Sequence, residues 1–328
     1  MTHRLLAHVG SLRTALVLMA LLGGVVFAAP TAPWIGAALG ALALNLCAAL
    51  IVHPLLRRNA PLLVFHLALL AVVLLAGLGR LARLDGRFEL VAGEPFDGQL
   101  IDHEAGPLYV QRLQRLAFRQ DGFTIDYAPG RQRGATRNAV AWLDADGRTQ
   151  RAVIGDHRPL VIDAHRVYTT SNKGFAPLLQ WRPERGDALR GAVHLPSYPM
   201  HELTQSREWT LPDGRAVWVQ LQFDETPIAP DAAAQFRLPA VHRLVVRVGE
   251  QRAELVAGAA MALPGGVLVY EGLRPWMGYR VTHDPSLPWL LAASLLAALS
   301  LAVHYVVKFR GARASAAPAP ALAGAVDG

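Results

Sequence analysis

Four stretches of this chain are apolar enough to read as crossing a bilayer: residues 14–29, 34–52, 61–81 and 288–307, with Arg80 near the end of the third the one charged residue among them. A helix rises about 1.5 Å per residue, so about twenty apolar residues span a hydrocarbon core of roughly 30 Å while satisfying their own backbone hydrogen bonds. Three of the stretches fall within the first 81 residues, and about two hundred residues of different character separate the third from the fourth. A composition of 52% hydrophobic and only 17% charged residues is too apolar for an ordinary soluble protein. The expected architecture is therefore four transmembrane α-helices, three N-terminal and one C-terminal, with a large mainly-β extracytoplasmic domain between the third and fourth. The first stretch also has signal-peptide features, with Arg4 and Arg13 before it and AAPTAP after it. The two spans that follow at once favour a helical hairpin.

Lys and Arg beside the spans set the expected orientation. Arg4 and Arg13 precede the first span, Arg57 and Arg58 lie in the loop HPLLRRNA, and Lys308, Arg310 and Arg313 follow the last span. Those segments are expected on the cytoplasmic side. The uncharged loop AAPTAP and the large domain are expected outside, in the periplasm of a bacterium. The parts expected are a three-helix region over 1–84, the outer domain over 85–285, the last span over 286–308 and a cytoplasmic tail over 309–328. That tail is rich in Ala and Pro and is expected to be disordered.

The outer domain reads as strands. FTIDYA, AVAWLDADG, RPLVIDAHRVYTT, AVWVQLQF, HRLVVRVGE and GVLVYEGL are short β-branched and aromatic runs bounded by Gly, Pro and Asp. DADGR and LPDGR read as hairpin turns, and a β-sandwich or open barrel is expected. Cys47 is the only cysteine and lies within the second span, so neither an internal disulfide nor a CxxC thiol-exchange site exists. No phosphate loop, GxSxG elbow or HExxH pair occurs, and Asp126, Asp144, Asp146 and Asp224 sit at strand ends or turns. A hydrolase reading has no residues to rest on, and no catalysis of its own is expected. The net charge of +7 is scattered over a domain facing away from the cytoplasm, which argues against a nucleic-acid partner.

Local strings then carry a resemblance. SLRTALVLMALL at the first span, FHLALL in the third, HRPLVIDAHRVYTTSNKG in mid-domain and GYRVTHDPSLPWLL before the last span fall in the order of the ResB (CcsB) family. The chain resembles these membrane proteins of the system II pathway of cytochrome c maturation. The resemblance implies a bacterial inner-membrane, multi-pass subunit that works with a CcsA-type partner to carry haem outward and present it to apocytochrome c. The seven tryptophans form no WxWxxD-like cluster, so the haem-presenting surface would come from that partner. His157 and Arg158 stand where the family usually has Asn before the Pro-Leu of the middle string. The alternative, from another class, is a membrane-anchored periplasmic binding or scaffold protein without haem.

Among the twelve histidines, most belong to termini, loops or the outer domain, where solvated or hydrogen-bonded imidazoles are the rule. His157 and His165 flank the strand that carries the family's central string. His66 and His304 differ because they lie within spans, where an ionisable side chain is a functional candidate. The bland alternative for His66 is a hydrogen bond to another helix, for instance to Asn45. For His304 it is snorkelling beside Lys308. The functional reading makes the His66 imidazole an axial ligand of haem iron in transit, with Leu62, Leu69 and Val73 packing a porphyrin edge. The resemblance puts the second ligand on a span of the CcsA-type partner, with His304 as the in-chain substitute.

Overall fold

A computed structural model describes residues 2–29, 34–110, 113–199, 205–211 and 213–315. It divides into a helical unit, up to Arg83 with Gly106–Leu108 and again from Asp284, and a β unit, Leu84–Ala105 and Tyr109–His283.

The helical unit contains α1 (Thr2–Val9), α2 (Leu12–Ala28), α3 (Trp34–Val52), the short α4 (Pro54–Arg58), α5 (Ala60–Ala82) and α6 (Leu287–Ser315). Among the described residues, α3, α5 and the part of α6 up to Arg310 are long and apolar enough to cross a membrane, and α2 is a shorter apolar helix. Three apolar helices near the N-terminus and one at the C-terminus bracket a mainly-β domain, the layout expected from the sequence. Two helix starts follow from their capping residues. Ser11 accepts from the Thr14 amide at 3.2 Å, and Asn59 accepts from Leu62 at 3.3 Å with Pro61 in the first turn of α5. At the other end α6 continues seven residues past Lys308 to Ser315, through good helix formers such as Arg and Ala, where the sequence reading began the tail. Residues 316–328 of that tail, and residues 30–33 of the AAPTAP loop, lie outside the described residues.

Helix contacts in this unit use small residues. Along α6 the buried positions are Ala293, Ala297 and Ser300, and α5 buries Ala68 and Gly79. The two helices pack along one another. A Cβ at Gly79 would lie 2.5 Å from the Ser286 hydroxyl and 3.1 Å from the Asp284 carboxylate, so the glycine leaves room for these two side chains just before α6. Asn45, 2% exposed on α3, donates to the Val9 and Ser11 carbonyls in the turn between α1 and α2. His53 Nε2 donates to the Gly10 carbonyl of the same turn at 3.2 Å. Asn45 is therefore not the partner of His66 that the sequence suggested. The Val9 and Gly10 carbonyls, freed where α1 ends, need a donor, and Asn45 and His53 supply it, while the Ser11 carbonyl also accepts from the Ala15 amide at 3.1 Å.

The β unit is built on two long antiparallel strands, β7 (His165–Pro183) and β15 (Gly266–His283), paired over most of their length. They centre a seven-stranded sheet in the order β2-β1-β15-β7-β6, with β14 (Ala260–Leu263) on β15 and β8 (Leu189–Ala192) on β7. Here β1 is Leu84–Val91, β2 is Asp102–Ala105 and β6 is Leu160–Ile162. A second sheet has the order β11-β3-β4-β5, from Ala234–Gln235, Phe118–Ala128, Gln132–Leu143 and Thr149–Ile154. A third has the order β13-β12-β10-β9, from Gln251–Leu255, Arg243–Val248, Ala216–Gln222 and Ser206–Thr210. All pairings are antiparallel. One apolar core, with Phe88, Phe118, Phe175, Tyr198, Leu244 and Tyr279 among its residues, is shared by the three sheets. The expected two-layer sandwich or open barrel is thus a three-sheet assembly.

The run RPLVIDAHRVYTT divides at Asp163 and Ala164, whose φ values of 47° and 61° turn the chain back from β6 into β7. Such left-handed geometry usually calls for Gly or Asn, which is why the sequence shows no break there. In the DADG turn the Asp144 carboxylate accepts from the amides of Asp146 at 3.0 Å and Arg148 at 2.9 Å. Gly147 follows at φ 76°.

Candidate functional site

His66 stands two turns into α5 in an otherwise apolar segment and is half-buried. Its Nδ1 lies 2.8 Å from the Leu62 carbonyl one turn earlier. A carbonyl oxygen can only accept, so Nδ1 carries the hydrogen, and in the neutral form of the ring the lone pair is on Nε2. Metal-ligating histidines are commonly held at one nitrogen in this way, and so are structural ones. Phe65 meets the ring edge-on at 5.2 Å between centroids. The helix around His66 thus supplies an oriented σ-donor in a nonpolar setting.

His304 on α6 is held differently. Its Nδ1 is 3.4 Å from the Oδ1 of Asn59, the residue that caps α5. Asn59 precedes His66 by seven residues, about 10 Å along the helix axis. The structure therefore does not bring His304 to His66 but sets it at the capped start of α5.

Outside the helices, the two histidines flanking the central string part company. His157 is exposed between β5 and β6, whereas His165 opens β7 with 6% exposure. Both nitrogens of His165 are occupied: Nδ1 donates to the Asp163 carbonyl at 3.0 Å, and Nε2 accepts from the Tyr109 hydroxyl at 2.8 Å. His283 stacks on it at 4.5 Å with an interplanar angle of 29°. Burial, and then the neighbouring His283, push the His165 pKa below that of an ordinary imidazole. The ring is neutral and engaged, a structural fit and not a free ligand. His242 is likewise bound at both ends, to the Pro239 carbonyl at 3.1 Å and the Tyr270 hydroxyl at 2.8 Å. His103 is exposed on β2, and His201 lies outside the described residues.

One arrangement escaped the sequence reading. His194, in the segment after β8, places Nδ1 2.6 Å from Oε2 of Glu89 on β1. Trp276 of β15 stacks on its ring at 5.4 Å and 11°, and donates from its own indole to the Leu195 carbonyl at 3.0 Å. Glu89 and His194 are 105 residues apart, so no local spacing announces the pair. Among the described residues, no group of three or more His, Cys, Asp and Glu side chains is placed to hold a bare metal ion.

Compared with known proteins, residues 56–241 match the family model described as the ResB-like family. The matched segment contains His66, Glu89, His165 and His194; His283 and His304 lie beyond it. No curated protein matches the chain.

Proposed function

Because the chain belongs to the ResB-like family, which implies a role in cytochrome c biogenesis, we propose that it is the membrane subunit that takes haem from the cytoplasmic side and delivers it, with a CcsA-type partner, to apocytochrome c. The observation that carries this reading is His66, held by the Leu62 carbonyl at Nδ1 so that Nε2 is left as a lone-pair donor inside an apolar helix. The iron is cargo, the lone pair forms the Fe–N bond without change of oxidation state, and the chain itself carries out no covalent chemistry. A second axial ligand comes from a span of the partner. His304, the in-chain substitute expected from the sequence, is engaged with Asn59 about two turns away along α5 and is not placed to share an iron with His66. In this reading the basic loops face the cytoplasm of a bacterial inner membrane and the β domain faces the periplasm.

The reading predicts that His66→Ala lowers the haem that copurifies with the complex and blocks cytochrome c assembly. Added imidazole, small enough to fill the vacated position, partly restores both, and His304→Ala has the smaller effect. Haem absorbance of the purified complex, alongside holocytochrome yield, checks it. Undiminished haem in His66→Ala would leave that residue a helix-packing role only.

A further inference from the structure

Two strand edges of the β unit border one cleft of about 710 Å³. β9 is the last strand of the third sheet, and β2 covers β1 only as far as Arg87. The Leu221 amide donates to the Gln205 carbonyl at 2.8 Å, and the Leu211 amide to the Arg215 carbonyl at 2.9 Å. These bonds at the two ends of β9 put Arg207 and Trp209 in hydrogen-bonded register with β10, so the main-chain groups of Glu208 and Thr210 point away from it. On β1, the Ala92 amide donates to Pro275 beside β15 at 2.9 Å, while the Arg87 carbonyl accepts from Ile101 on the other side at 2.8 Å. By the same alternation Glu89 turns its amide and carbonyl outward, just past the end of β2. Among the described residues, Glu89, Glu208 and Thr210 have no main-chain partner on that side.

The side chains around the cleft decide what such an edge accepts. Phe88 and Phe96 at its floor are 2% and 3% exposed and belong to the core. Three carboxylates, Glu89, Asp97 and Glu208, border it against one guanidinium, Arg207. Arg207 already donates to the His194 carbonyl at 2.7 Å, and His194 is held by Glu89. Asp97 and Glu208 are exposed and enter no ion pair among the described residues. In a chain of net charge +7 the cleft is a local excess of negative charge, which draws in cations. A strand added to a sheet edge supplies N–H and C=O groups to it and turns every second side chain to one face. Lys or Arg at those alternate positions meets the carboxylates, with the methylene stems lying along Leu100 and Trp209 in the cleft wall.

We propose that this cleft docks an extended, Lys- or Arg-bearing segment of a partner polypeptide, added as a strand to the free edge of β9. The carboxylates select the basic segment, and the outward amides and carbonyls of Glu208 and Thr210 hold its backbone. The inference does not depend on haem handling at His66 and gives the β unit an interaction surface of its own.

The test uses the full-length chain in maltoside detergent and a fluorescein-labelled peptide of about ten residues alternating Lys with Thr, a length that spans β9. Binding is read by fluorescence anisotropy against empty micelles. Saturable binding is expected, weakened at least roughly tenfold in the double variant Asp97→Asn, Glu208→Gln. Thr210→Pro removes an outward N–H but leaves all three carboxylates, a change that an edge strand tolerates. With an unaltered circular dichroism spectrum, it too lowers the affinity. The fully N-methylated peptide keeps its charge, has no N–H for the edge and binds at least roughly tenfold more weakly. No saturable binding overturns the proposal, as does equal binding of a peptide with Glu in place of Lys, or no loss in the double carboxylate variant. Undiminished binding of the N-methylated peptide overturns strand addition. Self-association of the chain that Thr210→Pro abolishes and the peptide fails to displace makes a second copy the occupant, and likewise overturns it.

Discussion

Lys173 is 3% exposed, and burial, with the Arg133 charge nearby, lowers its pKa to about 8 from an ordinary 10.5, against the opposing pull of Asp156. Its ammonium donates to the Ser171 carbonyl at 3.2 Å and lies 5.5 Å from the Tyr127 ring centre, too little to replace its hydration. A shift of that size corresponds to a folding penalty on the order of 3 kcal/mol at neutral pH, where both folded and unfolded forms are charged. Between pH 8 and 10.5 the folded state releases its proton first, so the penalty fades as pH rises. Lys173→Met is therefore expected to raise the melting temperature of the full chain at pH 7. That gain should narrow at pH 9, as read by the far-ultraviolet circular dichroism of the β unit. A constant gain across that range would contradict the assignment of the cost to charge burial. At this scale the sequence was legible where a residue contrasts with its neighbours: His66 stands out in an apolar run, and its orientation by Leu62 is a helix-local consequence. His194 was not legible, because what distinguishes it is a partner on a strand 105 residues earlier. Strand alternation says which face a residue takes but not which strand lies opposite.

The turn between α1 and α2 rests on α3 through backbone. A Cβ at Gly10 would lie 2.6 Å from the Ala49 nitrogen and 2.7 Å from the Ala48 carbonyl carbon, main-chain atoms that have no freedom to yield. Gly10→Ala is expected to destabilise the helical unit by about 2 kcal/mol through overpacking. A lowered midpoint in mild-detergent-to-SDS unfolding reads this out, and Gly23→Ala, which meets no atom within 4 Å, is the control that should leave the midpoint in place. Among the elements, the spans were readable from composition, whereas the caps Ser11 and Asn59 came only with the structure. The extent of β7 was not. From Lys173 to Trp181 nearly every residue is buried on both faces, so the strand loses the alternation by which a half-exposed strand is recognised. The Asp163-Ala164 turn hid because neither residue advertises positive φ.

For the whole molecule, sidedness is what the basic loops predict. A reporter active only outside the cytoplasm should be active when fused after residue 150 and inactive when fused at residue 57 or after Lys308. Reversed signs would remove the direction from haem export. The layout of helices around a β domain was legible from hydropathy alone, since hydrocarbon tolerates so few backbone solutions. The three-sheet arrangement was not, because pairings such as β1 with β15 join segments nearly two hundred residues apart. That pairing sets Leu84 opposite His283. Opposed residues on neighbouring antiparallel strands lie about 5 Å apart at the Cα atoms, so the β unit begins and ends at almost one point. Topologically it is a cassette spliced into the connection of a helical hairpin, the kind of insertion a host fold accepts without stretching. Replacing residues 84–283 by a short Gly-Ser connector should therefore leave α5 and α6 able to insert as a pair, detectable by protease protection in membranes.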